Sequence, residues 1–141
     1  MAKEKLTKEQ MELLFDTMEK IDSKEIKKKE GIDKLWEELG KYHYNSYQML
    51  YTMFKCMKNG KTFTRGANYQ IIEFFINKLG EKYGKEIQKK SIEATFGYII
   101  YLYEQLGHKP KGLLEICKQI AKKDNIDISF SIRRGCIIRS F

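Results

Sequence analysis

The sequence predicts an all-α fold: one helical domain over residues 1–141, built as a bundle around a central hydrophobic helix. Three observations predict it. The 141 residues include a single proline, Pro110, so long uninterrupted helices are allowed through most of the chain. Apolar residues recur at i, i+3, i+4 and i+7 in one segment after another. The length, with 42% apolar residues, suffices to bury a core without metal or disulfide staples.

The first helix opens at Thr7-Lys8-Glu9-Gln10, which has the spacing of a capping box. Met11, Leu14, Phe15 and Met18 then follow on one face. Asp22 to Gly31 is polar and lysine-rich and is expected to be a surface connection. Ile32, Leu35, Trp36 and Leu39 repeat the helical spacing before Gly40. Tyr47, Leu50, Tyr51 and Phe54 repeat it again, and Asn59-Gly60 supplies a stop that tolerates positive φ.

The next helix, Asn68 to Leu79, differs from the others. Ile72, Phe75, Ile76 and Leu79 line one face, and Ile71 and Phe74 widen it. A helix apolar on so much of its circumference is normally surrounded by other helices. Burying those four stripe residues contributes about 1.5–3 kcal/mol each. Gly80 is expected to end it. A long helix follows from about Lys85 to Leu106, broken by Gly107 and Pro110. Leu113, Ile116, Cys117 and Ile120 mark a short last helix that stops near Asp124-Asn125. In the tail, Ile126, Ile128, Phe130 and Ile132 alternate like a strand, and both an extended segment and another helical turn stay open.

Charge and cysteines narrow the class of protein. Lys and Arg total 27 against 19 Asp and Glu, a net +8. That balance admits nucleic acid or an anionic membrane as partner. The lysines are dispersed, however, with only Lys27-Lys28-Lys29 as a run, and read mainly as solvated helix surface. The small basic nucleic-acid-binding protein is therefore the alternative and not the favoured reading. Cys56, Cys117 and Cys136 are odd in number and far apart, which is the usage of a reduced intracellular protein. The charged N-terminus has no signal-peptide core. No window approaches a transmembrane span.

Signals for an enzyme are weak. His43 and His108 have no metal-ligand spacing, and Cys117, Cys136 and His108 match no structural-zinc pattern. Gly60-Lys61-Thr62 resembles the end of a phosphate loop but lacks the glycine upstream. No catalytic residue, metal or cofactor is expected. The aromatic residues mostly keep helical spacing and read as core, although aromatics interleaved with lysine also stack on single-stranded nucleic acid.

The segment Phe63-Thr64-Arg65-Gly66-Ala67-Asn68-Tyr69-Gln70-Ile71-Ile72-Glu73-Phe74-Phe75 resembles the first homology motif of the Bcl-2 family of apoptosis regulators. That motif reads Phe-Arg-Asp-Gly-Val-Asn-Trp-Gly-Arg-Ile and leads into an apolar helix ending in Phe. Phe63, Gly66, Asn68, Ile72 and Phe75 match as they stand, and Ala67 and Tyr69 are conservative replacements. Tyr101-Leu102-Tyr103-Glu104-Gln105-Leu106 is similar to the Tyr-Leu-x-x-x-Leu that closes the family's following helix. Trp36 to Lys41 is similar, more loosely, to its third motif, with Lys41 in place of the aspartate. Two departures stand out: Ile71 replaces the motif's arginine, and the second homology motif is missing.

The resemblance implies a Bcl-2-like helical bundle. It implies an inhibitor of host apoptosis that sequesters the amphipathic death-motif helices of pro-apoptotic relatives in a hydrophobic groove. It assigns the groove to Leu50, Tyr51 and Phe54 as a wall, Phe63, Arg65, Gly66, Asn68 and Tyr69 as the entry, and Ile71 and Ile72 beyond. Gly66 would admit a small ligand residue, and Arg65 stands near the end where the family's arginine pairs with the ligand. Compactness, drifted motifs and a tail too short and charged for a membrane anchor resemble the family's viral members. The implied location is the host cytoplasm. An unliganded apolar groove invites self-association, so a homodimer is a second expected partner state.

Overall fold

The apolar repeats form helices where the spacing places them. The structure, a computed structural model, describes residues 6–126 and, in the tail, the backbone of Ser129–Arg133 and Cys136–Ser140. Among the described residues there are six helices: α1 Lys8–Asp22, α2 Lys28–Leu39, α3 Tyr44–Asn59, α4 Tyr69–Tyr83, α5 Lys85–Leu106 and α6 Lys111–Lys123. The chain divides into two compact units, Met1–Lys55 and Cys56–Phe141.

In the first unit, α1 starts at the expected capping box. The Thr7 hydroxyl accepts from the Gln10 backbone N–H at 3.1 Å, and Gln10 Oε1 accepts from the Thr7 N–H at 2.9 Å. Two otherwise unsatisfied helix-end donors are thus paired. Leu14, Phe15, Met18 and Ile21 turn inward, and Phe15 meets Phe54 edge-on, with ring centroids 5.4 Å apart.

The polar connection is shorter than its composition suggests. Helix α2 already begins at Lys28, and Gly31 lies buried in its first turn. A Cβ on Gly31 would sit 2.6 Å from Ile21 Cδ1, so this glycine permits a close α1–α2 approach and does not mark a loop. Ile32, Leu35 and Leu39 are buried, but Trp36 is 49% exposed. Its ring packs edge-on against Tyr44. Tyr44 in turn donates to Asp33 at 2.6 Å, and Lys29 pairs with the same carboxylate at 3.1 Å.

In the second unit, α4 and α5 form a hairpin joined by the single residue Gly84, whose φ of 93° only glycine adopts readily. Gly80 does not end α4; the helix continues to Tyr83. The reason is a contact: a Cβ at Gly80 would lie 2.6 Å from Gln88 Nε2. That amide is 4% exposed and donates to Asp124 Oδ2 at 2.8 Å, tying α5 to the end of α6. Gly107, at φ 67°, closes α5 as expected. Helix α6 buries Leu113, Leu114, Cys117, Ile120 and Ala121. Burial pushes the Cys117 thiol up to about 12.

The tail resolves in favour of the extended reading. Strand β1, Ser129–Arg133, pairs antiparallel with β2, Cys136–Ser140, in a register that sets Ser129 opposite Ser140. The helical fold thus carries a small hairpin that the alternation only half disclosed. Ile128 lies outside the described residues.

Thr7→Ala removes the hydroxyl half of the capping box and is expected to cost about 1 kcal/mol. Urea unfolding followed by circular dichroism measures it, as a lowered midpoint with unchanged slope.

Candidate functional site

The segment entering α4 is built from two glycine contacts and one cap. Asn68 is the N-cap of α4; its Oδ1 accepts from the Ile71 N–H at 3.0 Å. Before it, the chain lies along α5. Phe63 is buried and stacked on Tyr98, with ring centroids 4.8 Å apart at 24°. A Cβ on Gly66 would meet Tyr98 Cε2 and Cζ at 2.7 Å. On α5 itself, Gly97 leaves the space that the Thr62 side chain fills. A glycine on each element therefore lets the incoming turn settle against the helix.

Tyr98 is the residue the sequence reading missed. Its ring packs between Phe63 and Gly66, and its phenol is held above the usual tyrosine range. Burial is the main cause, opposed by a hydrogen bond from the Gly66 backbone and reinforced by the neighbouring phenols of Tyr69 and Tyr101. The only local signal was a glycine beside an aromatic, Gly97-Tyr98, in the middle of a helix, where glycine costs about 1 kcal/mol and often marks a close approach.

The ten residues assigned to the groove fall into two groups. Leu50, Tyr51, Phe54, Phe63, Ile71 and Ile72 are buried. The first three belong to the first unit, where Tyr51 lies under the ammonium groups of Lys28 and Lys55 at 5.8 and 5.2 Å. Arg65, Asn68 and Tyr69 are exposed, and Gly66 is half-buried. Ile71 is 1% exposed, so the position where the resemblance wants an arginine faces the core. A guanidinium there would have to be buried, which is costly unless it is paired. Tyr69 reaches across to α6, where a Cβ on Gly112 would meet its ring at 3.2 Å.

The looser motif matches also have structural roles. Gly40 closes α2 at φ 59°. Tyr101 to Leu106 forms the last turn and a half of α5, with Leu106 50% exposed.

A concavity lies at the C-terminal end of α4, away from the entry segment. It is an open pocket of about 630 Å³ lined by Asn77, Gly80, Glu81, Lys85, Gln88 and Asp124 among others. Acidic and basic groups balance there. His43 and His108 are both exposed. Among the described residues no group of three or more His, Cys, Asp or Glu could hold a metal ion. Tyr44, Tyr47, Tyr51, Tyr98 and Cys117 are all pushed up, the first by its bond to Asp33 and the others by burial. At neutral pH these groups keep their protons and serve as packing or hydrogen-bonding groups.

No helix among the described residues is long and apolar enough to cross a membrane. Comparison with known proteins finds no matching family model, no matching curated protein and no matching solved structure.

Two outcomes test this geometry. Asn68→Ala is expected to lose about 1 kcal/mol, with Asn68→Asp largely retaining the cap; thermal melts compare the three proteins. Because the Tyr98 phenol is raised in the folded chain, its contribution is present below the unfolded value near 10 and lost as pH rises through the folded value. Tyr98→Phe should therefore flatten the alkaline fall in stability above about pH 10. Tyr47 and Tyr51, raised by the same cause, keep part of that fall in place.

Proposed function

We propose that the protein binds amphipathic helices at the Phe63–Ile72 entry to α4, as Bcl-2 family survival regulators sequester the death-motif helices of their pro-apoptotic relatives. The observation that carries this reading is the match of Phe63, Gly66, Asn68, Ile72 and Phe75 to that family's first homology motif. The match covers Gly66 and the Asn68 cap of an apolar helix, which then doubles back into a longer one. An all-α arrangement with this element order supports it further.

Ligand and Tyr98 compete for the same space. A small ligand residue reaches the Gly66 backbone only once the Tyr98 ring has left it. Affinity is then reduced by the fraction of molecules in which the site is closed. The absent motif arginine removes a charge-assisted contact of about 1.5–3 kcal/mol, or one to two decades of affinity. Arg65, exposed beside Gly66, is the available replacement. The ligand range is accordingly narrow and favours helices with strong apolar anchors.

Calorimetry against a panel of pro-apoptotic helix peptides tests the proposal. Wild type should bind some of them, Tyr98→Ala should bind the same ones more tightly, and Gly66→Glu in the Tyr98→Ala background should remove binding while helicity is kept. Silence from both wild type and Tyr98→Ala across the panel, up to about 50 μM peptide (a Kd near the weak end of specific recognition), would sink the reading.

A further inference from the structure

We propose that the exposed face of α6, with Tyr69 at its N-terminal end, is a binding surface for single-stranded nucleic acid. The first observation is that the charge is segregated. Met1–Lys55 contains eleven Lys and Arg against eleven Asp and Glu, whereas Cys56–Phe141 contains sixteen against eight. The whole net charge of +8 therefore belongs to the second unit. Dispersal along the sequence concealed this, because the acidic residues are the unevenly distributed ones relative to the lysines.

The second observation is how α6 is turned. Its inner face is fixed by Leu113, Leu114, Cys117, Ile120 and Ala121, all buried. That leaves Lys111, Glu115, Lys118 and Lys122 exposed at i, i+4, i+7 and i+11, a single stripe about 16 Å long at the helical rise. None of the fully exposed positions of α6 carries an apolar side chain, and Ile116 is half-buried, so the helix has little to insert into a lipid surface. Phosphate contacts by lysine need no such insertion.

The third observation is Tyr69. It is 41% exposed, and its ring lies beside Gly112 in the first turn of α6, next to Lys111. Glycine at 112 leaves the ring room to sit there. Arg65, Lys109 and Lys111 are exposed in the same stretches of chain. Three lysines on one stripe, interrupted by the carboxylate of Glu115, with an exposed aromatic ring near their N-terminal end, make an arrangement that stacks an unpaired base while the backbone is held electrostatically at Lys111, Lys118 and Lys122. A duplex offers no free base to stack, so the surface favours a single strand. This inference does not depend on peptide binding at Gly66.

Fluorescence anisotropy with a labelled oligothymidine, begun at about 50 mM salt, provides the test. Binding should weaken steeply as salt is raised. Lys118→Gln with Lys122→Gln should reduce the steepness of log affinity against log salt by about 1.4, at about 0.7 for each lost phosphate contact on a single strand. Tyr69→Ala should weaken binding about tenfold or more with the salt slope unchanged, and should erase the preference over a duplex of equal length. Circular dichroism checks that each variant keeps its helices. The proposal is overturned by absence of oligonucleotide binding, by a salt slope indifferent to the two lysines, by affinity indifferent to Tyr69, or by preferential binding to phosphatidylserine vesicles.

Discussion

The apolar face of α4 is the constraint on which the second unit depends. Ile71, Ile72, Phe75, Ile76 and Leu79 are all buried on it. At about 1.5–3 kcal/mol for each side chain removed from water, leaving that face exposed would forfeit an amount comparable to the whole net stability of a small domain. The chain must therefore return immediately, and Gly84 lets it do so in one residue. The same close return leaves room at Gly80 for the Gln88 amide and no room for a methyl group. Gln88 then reaches Asp124, just beyond the end of α6. The positions of α5 and α6 thus follow from the need to cover one helix.

Much of this was legible in the sequence, because helix formation in this chain is governed by local spacing. The start of α1, the stop of α3 at Gly60 and both ends of α5 were readable from caps and periodicity alone. The failures share a cause. Gly31 and Gly80 look like punctuation, yet both lie inside helices, where a side chain of the adjoining helix, Ile21 or Gln88, occupies the space a Cβ would take. Periodicity likewise does not distinguish Leu35 from Trp36, which are adjacent on the same arc; only tertiary packing decides that the first is buried and the second half-exposed. Tyr98 was invisible as a site residue because nothing local connects it to Gly66, thirty-two positions earlier in the chain.

The motif residues have structural work in this chain whatever they bind. Phe63 stacks on Tyr98, Gly66 admits its ring, Asn68 caps α4, and Ile72 and Phe75 are core. A turn laid against one helix and leading into another apolar helix demands a similar set of residues for reasons of folding. Under the proposed helix binding, discrimination between ligands would come from the side chains left outside that set, chiefly the exposed Arg65 and Tyr69. Tyr69 belongs both to the entry segment and to the edge of the basic α6 face, so under the two proposals a ligand on one surface would meet the same side chain as a ligand on the other.

Cys117 gives this architecture a built-in reporter. Its thiol is fully buried under α6 and pushed up to about 12, so the native protein holds almost no thiolate at that position. Alkylation proceeds through the thiolate, and a reagent can reach Cys117 only when α6 lifts from its neighbours. The half-buried Cys56 is the internal control. Read peptide by peptide, so that Cys136 is kept apart, the ratio of the Cys117 and Cys56 labelling rates reads out how often the last helix detaches, without any substitution in the chain.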